Sequence, residues 1–173
     1  MQRGDAMLTM TQHSTADLCD GHEQQLQVCQ PLFKHFGGRE EFEGRIVTLK
    51  CIEDNTLVRE VLSEAGQGKV LVVDGGGSLR CALLGDQLAA LAVQNGWAGI
   101  VINGCIRDSA QIAEMDIGVM ALATHPRKSV KLGCGRRNQQ LSFAGVYFSP
   151  GHYLYCDADG ILLAEQALEE EVE

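Results

Sequence analysis

The stretch KVLVVDGGGSLRCALLGDQLAALAVQNGWAGIVINGCIRD (69–108) decides the fold. It opens on KVLVVD (69–74), a short and almost wholly apolar run of the kind that forms a strand buried on both faces. GDQLAALAVQNG (85–96) carries Leu88, Leu91 and Ala92 beside Leu84 on one helical face, with Gly96 where a helix ends. WAGIVING (97–104) is a second buried strand that runs straight into CIRD. Strand, helix and strand in so short a span predict a right-handed parallel β-α-β crossover.

On the N-terminal side, RIVTLKCI (45–52) is β-branched and alternating, hence a strand. DNTLVREVLSEAG (54–66) repeats Leu57, Val58, Val61, Leu62 and Ala65 at helical spacing, with Gly66 as its expected C-cap. Ser14 and Thr15 stand as N-caps before TADLCDGH, whose acidic residues suit a helix start, and Gly37-Gly38 breaks the chain beyond it. On the C-terminal side the chain is strand-rich: IGVMALAT (117–124), FAGVYF (143–148), HYLYCD (152–157) and GILLAEQ (160–166). Asp157-Ala158-Asp159-Gly160 is the turn between the last two. These later strands predict a second sheet, and therefore a layered mixed α/β domain over 14–168. Residues 1–13 read as a flexible polar leader and 169–173 as an acidic tail.

Composition narrows the function. The 173 residues carry a formal net charge of −9 and a pI near 5.0, whereas a nucleic-acid binder needs a basic face to displace phosphate counterions. The densest basic run, Arg127, Lys128, Lys131, Arg136 and Arg137, reads as a solvated loop, so direct RNA or DNA binding is disfavoured. Seven cysteines with no CxxC pair, behind an N-terminus lacking an apolar signal core, predict reduced thiols and a cytoplasmic location. No run approaches the roughly 20 apolar residues that span a bilayer. DGGGS (74–78) fits neither the dinucleotide nor the phosphate-loop pattern; it reads as a tight turn lining a cleft, with Arg80 near the mouth. The five histidines show no metal-ligand spacing, and no cysteine has a nucleophile signature.

Two short motifs remain. Gly85-Asp86-Gln87-Leu88 opens the third helix, where free amides and the helix dipole form an anion site. Arg107-Asp108 follows the carboxyl end of a buried strand, where ligands of parallel α/β units bind. Taken singly, Asp86 reads as an N-cap and Arg107-Asp108 as a surface ion pair. Taken together, the crossover should bring them to one sheet edge across 20 intervening residues. Amide donors, a guanidinium and two carboxylates at one rim suit a small 2-oxo acid and a hard divalent cation such as Mg²⁺ or Mn²⁺.

The segment from Val70 to Ser129, with TADLCD near the start and HYLYCDADGILLAE near the end, strongly resembles the family named after the regulator of ribonuclease activity A. The same family contains the 4-hydroxy-4-methyl-2-oxoglutarate aldolases. The likeness runs from about Thr15 to Leu168 and includes the family's spacing of an Asp, twenty residues and Arg-Asp, here Asp86 and Arg107-Asp108. The resemblance implies a β/β/α sandwich of the swivelling-domain type, assembled as a homotrimer with sites between subunits. It implies that Gly85, Asp86, Gln87 and Leu88 form the substrate-carboxylate loop. Arg107 would then contact substrate and steady an enolate, Asp108 would bind the metal, and Asp86 would hold its waters. The implied activity is that of a class II, metal-dependent aldolase that also decarboxylates oxaloacetate. The alternative open to the same family is a non-catalytic regulator that binds and inhibits ribonuclease E or its associated helicase. The sequence departs from the aldolase pattern at Gln111, where many members carry an acid, with Glu114 nearby. It also departs in its short C-terminus, where Glu165 or the terminal glutamates would have to stand in.

Overall fold

A computed structural model of the chain describes residues 14–168, so the leader and tail read from the sequence lie outside the described residues. In chain order the elements are α1 (Thr15–His22), a 3-10 turn (Glu23–Gln25), β1 (Leu26–Val28), β2 (Lys34–His35), β3 (Phe42–Lys50), α2 (Thr56–Leu62), β4 (Val70–Asp74), β5 (Ala82–Leu84), α3 (Asp86–Gln94), β6 (Gly99–Ile106), α4 (Ser109–Ile112) and β7 (Gly118–Thr124). There follow β8 (Arg136–Arg137), β9 (Leu141–Phe143), β10 (Val146–Phe148), β11 (Tyr153–Asp157) and β12 (Gly160–Ala164). Among the described residues no helix is long and apolar enough to cross a membrane.

The centre is a parallel array, β3-β4-β6-β7, in which Leu71 pairs Ile100 and Ile100 pairs Val119. Because side chains alternate along a strand, each member divides between two cores. Leu71, Val73, Ile100, Ile102, Val119 and Ala121 face the helices, where they pack with Val58, Val61, Leu88 and Ala92. Val70, Val72, Val101 and Met120 face the other way, against Leu154, Cys156, Ile161 and Leu163 of the antiparallel strands and Val146 and Phe148 of β10. The result is the expected β/β/α layering, and α1 covers the outer side of β11 and β12 through Leu18, Tyr155 and Leu162.

Three sequence expectations are corrected. Strands β11 and β12 do not form a separate sheet, because β3 belongs to both layers, whereas β9 and β10 do stand apart as a two-stranded sheet. Phe42–Arg45 pairs antiparallel with β11 and Ile46–Lys50 pairs parallel with β4, which joins eight strands into one path of a ten-stranded sheet, with β5 and β8 attached to its side. FAGVYF is not one strand but a hairpin, β9-β10, turning at Ala144-Gly145, both with positive φ (55° and 75°), the geometry of a type I′ turn. The helix expected to run to Gly66 stops at Leu62. Gly66 is instead a point of close approach, since a Cβ there would lie 2.6 Å from the Trp97 ring and backbone nitrogen.

One aromatic sets how closely the layers meet. Gly99 and Gly118 are paired neighbours on β6 and β7, and Phe42 lies across both, within 2.3 and 2.0 Å of where a Cβ would stand. Only glycine admits the ring. Gly118→Ala is expected to destabilise the fold by about 1–3 kcal/mol through overpacking. Phe42→Leu in the same background should recover part of the loss. Urea unfolding midpoints of the two variants check both outcomes.

Candidate functional site

The site forms where the chain leaves one strand and returns beside the same neighbour. β4 pairs with β6 as far as Asp74 opposite Asn103; the glycine loop then departs, and β5 re-enters with Ala82 opposite Cys105 and Leu84 opposite Ile106. The ends of β5 and β6 are therefore hydrogen-bonded neighbours, and Arg107 N–H donates to the Leu84 carbonyl (2.9 Å). Gly85-Asp86 follows one strand and Arg107-Asp108 the other, so the two motifs meet at one rim.

The contact between them is direct. Gly85 occupies the N-cap position of α3 and supplies no side-chain cap, and Asp86 is the first helical residue. Reading Asp86 as the N-cap is thereby corrected. The cap comes from across the rim: the Asp86 backbone N–H donates to Asp108 Oδ2 at 3.0 Å. A Cβ on Gly85 would stand 2.8 Å from that oxygen and 3.5 Å from Arg107 Cγ and Nε, so glycine is needed for the approach. Asp108 adopts left-handed backbone (φ 58°, ψ 40°) and heads the short helix α4, its carbonyl accepting from Ile112 N–H (3.0 Å). Such conformations are sparsely populated, although Asp tolerates them better than most residues, and they gather at functional sites.

Asp86, Arg107 and Asp108 are all half-buried, with access to solvent. Among the described residues neither the Asp86 carboxylate nor the Arg107 guanidinium makes a hydrogen bond or ion pair. Gln87 is exposed and Leu88 is buried in the helix-side core, so these two residues offer the rim their backbone N–H groups rather than their side chains. Both amides fall in the first helical turn, where no intrahelical acceptor exists. Gln111 and Glu114 lie just beyond, both exposed. Among the described residues no group of three or more His, Cys, Asp or Glu side chains gathers in a metal-binding cluster.

The glycine loop is self-contained. Gly75 and Gly77 N–H donate to the Asn103 carbonyl (both 3.1 Å), and Asp74 Oδ1 accepts from Gly76 N–H (2.9 Å) and Asn103 Nδ2 (3.1 Å). Its amides are thus consumed internally and make no phosphate cradle. Arg80 turns outward to pair with Glu53, whose Oε1 also accepts from Ser78 Oγ (2.8 Å).

Sequence reasoning missed β5, whose three buried residues lie hidden in CALL, and missed Asp54. That carboxylate is almost fully buried and accepts from Thr56 N–H and Oγ1 and from Leu132 and Cys134 N–H, at 2.7 to 3.1 Å. Desolvation opposes its ionisation, but these four donors prevail and hold the carboxyl at about 2, below its ordinary 3.8. It anchors the basic loop to the same edge of the sheet. Of that basic run, Arg137 is committed to Glu64 and Glu60, and Lys131 Nζ donates to Asn55 Oδ1 (2.9 Å).

Comparisons with known proteins agree along most of the chain. A family model described as "RraA-like: Aldolase/RraA" matches residues 15–163. A protein of Dechloromonas aromatica (strain RCB) named "Putative 4-hydroxy-4-methyl-2-oxoglutarate aldolase" is 59% identical over 158 residues, covering 89% of this chain and 97% of that protein. A solved structure described as S-adenosylmethionine: 2-dimethylmenaquinone methyltransferase from Geobacillus kaustophilus HTA426 superposes with a TM-score of 0.89 at 52% identity, covering 92% of this chain and 100% of that one. The RNA-processing inhibitor RraA from Thermus thermophilis gives a TM-score of 0.89 at 46% identity, covering 92% of this chain and 96% of that one.

Two expectations follow from this geometry. Gly85→Ala should cost about 1–2 kcal/mol of stability by forcing Asp108 away from the α3 amide, read as a lower thermal midpoint. Asp54→Ala should cost about 3 kcal/mol. Because the folded state depresses this carboxyl, its contribution is complete above about pH 4 and is lost as pH falls toward 2. Urea midpoints followed from pH 5 to pH 2 should therefore fall less steeply in the variant than in the wild type.

Proposed function

The chain belongs to the RraA-like family, and on that premise we propose that it is a divalent-metal-dependent lyase. It cleaves 4-hydroxy-4-methyl-2-oxoglutarate to two molecules of pyruvate by a retro-aldol reaction, and it decarboxylates oxaloacetate through the same pyruvate enolate. The observation that carries this reading is the Asp86 N–H to Asp108 Oδ2 bond, which brings a helix N-terminus, a guanidinium and two carboxylates to one rim.

The residues present fit a hard cation. Mg²⁺ and Mn²⁺ bind through one or two carboxylates and retain several waters, whereas a structural zinc site needs four nitrogen or sulfur ligands. One oxygen of Asp108 is held by the α3 amide, leaving the other to hold the ion; Asp86 would act through water. When bound, such an ion draws electron density from the 2-oxo carbonyl. The substrate carboxylate rests on the free N–H groups of Gln87 and Leu88, favoured by the helix dipole. As the bond between C3 and C4 breaks, the 4-hydroxyl passes its proton to the water held by Asp86 and negative charge spreads onto the enolate oxygen. Arg107 meets that charge with a cation fixed in advance. A water held by Asp86 then returns a proton to the enolate carbon. In oxaloacetate the departing group is carbon dioxide and the enolate is the same. No Schiff-base lysine is required.

The exposed apolar side chains Leu132, Leu79, Val130 and Ile52 stand on loops of this same edge and support a homotrimer with sites between subunits. The free state of all seven cysteines supports a cytoplasmic setting. A second reading has one specific observation in its favour, the likeness to an RNA-processing inhibitor at 46% identity. On that reading the chain binds and inhibits ribonuclease E or its associated helicase, and the net charge of −9 suits competition for basic surfaces.

Pyruvate release from 4-hydroxy-4-methyl-2-oxoglutarate and from oxaloacetate, with Mg²⁺ and with a chelator, tests the proposal. Turnover should require the metal, disappear in Asp108→Ala and fall by about 10²–10³ in Arg107→Ala. Turnover that survives both substitutions rejects the site, and absence of turnover on either substrate leaves the regulator reading in its place.

A further inference from the structure

A cavity lies away from this rim, toward the other end of the strands. The two edges of the eight-strand path are β1 and β2, consecutive in sequence and joined by residues 29–33, so the sheet curls back on itself and leaves one seam. His35 on β2 reaches across the seam, its Nε2 donating to the Asp157 carbonyl at the end of β11 (2.8 Å). α1 lies over the opening, fastened by Thr15, whose N–H and Oγ1 both donate to the Asp157 carboxylate (2.7 Å each). Between these elements is a cleft of about 370 Å³. Its floor is the second core itself: Cys29, Phe33, Met120 and Ile161 line it. Ligand pockets are typically about 300–1,000 Å³, mostly apolar, and found in barrel mouths among other places.

We infer that this seam cleft is a binding site for a small apolar molecule bearing a neutral or cationic head, distinct from the 2-oxo acid site. Volume and apolar walls set the body of the ligand. Charge sets its head: no lysine or arginine lines the cleft, and Asp159 stands at its mouth. An anionic group there would meet the Asp159 carboxylate with no lysine or arginine to offset it. The cleft's one histidine, His35, already gives its Nε2–H to the Asp157 carbonyl, so the anionic substrates proposed above are disfavoured. Val28 lines the cleft and is 58% exposed, leaving an apolar lip by which such a molecule enters. The inference does not depend on the lyase reading.

The test uses the full chain and two fluorescent probes of similar size, neutral N-phenyl-1-naphthylamine and anionic 8-anilinonaphthalene-1-sulfonate. The neutral probe is expected to bind saturably at one site per chain, at least tenfold tighter than the anion, and oxaloacetate should not displace it. Ala16→Trp and Ala158→Trp fill the cleft from two walls at exposed positions. Each should weaken the neutral probe at least tenfold while leaving the urea midpoint and pyruvate release unchanged. Non-saturable binding, equal affinity for the anion, displacement by oxaloacetate, or full affinity in both filled variants would overturn the proposal.

Discussion

Burial of both faces of the parallel array is the constraint from which the rest of the molecule follows. Val70 and Val72 look one way and Leu71 and Val73 the other, and neither set can be left to water. Helices can cover only one face within so short a chain. The other is covered by antiparallel strands drawn from the C-terminal third, and the cheapest attachment is a strand that serves both layers. β3 does this over nine residues, changing partner between Arg45 and Ile46. Phe42 then lies flat over paired glycines just where the two layers converge.

Covering both faces leaves the strand ends as the place where backbone polar groups and charged side chains can gather. At the carboxyl end, the substitution of β5 for β4 beside β6 brings a helix start against a strand end. The Asp108 carboxylate satisfies an amide there that would otherwise lack a protein partner, and its left-handed backbone sets its angle. A side chain held in this way would have little freedom to lose on taking a ligand at its second oxygen, which is the preorganisation that the proposed chemistry requires. The glycine loop beside it contributes shape rather than donors, because Asp74 and Asn103 already occupy its amides.

Much of this was legible in the chain. The run 69–108 announced the crossover because apolar periodicity reports burial directly, and the convergence of residues 85–86 with 107–108 followed from parallel topology alone. What could not be read were features set by distant partners. Gly66 looks like a helix terminator and is a spacer for Trp97; the strand pattern of FAGVYF hides a turn that only the φ values of Ala144 and Gly145 reveal. Asp86 looks like a cap because the residue that relieves it of that task lies 22 positions away. Asp54, which ties the basic loop down through two residues near position 130, carries no local signature at all.

The excursion between Asp74 and Ala82 has a bearing on how this architecture diversifies. Both of its ends are anchored to a single strand, β6, so the intervening length is not fixed by the spacing of any two structural elements. Residues could be added near Leu79, or the chain opened and its termini relocated there, without shifting a single rung of the central ladder. A lineage built on this scaffold can therefore remodel the approach to the rim formed by residues 85–86 and 107–108 by loop length alone, leaving the frame of that rim untouched.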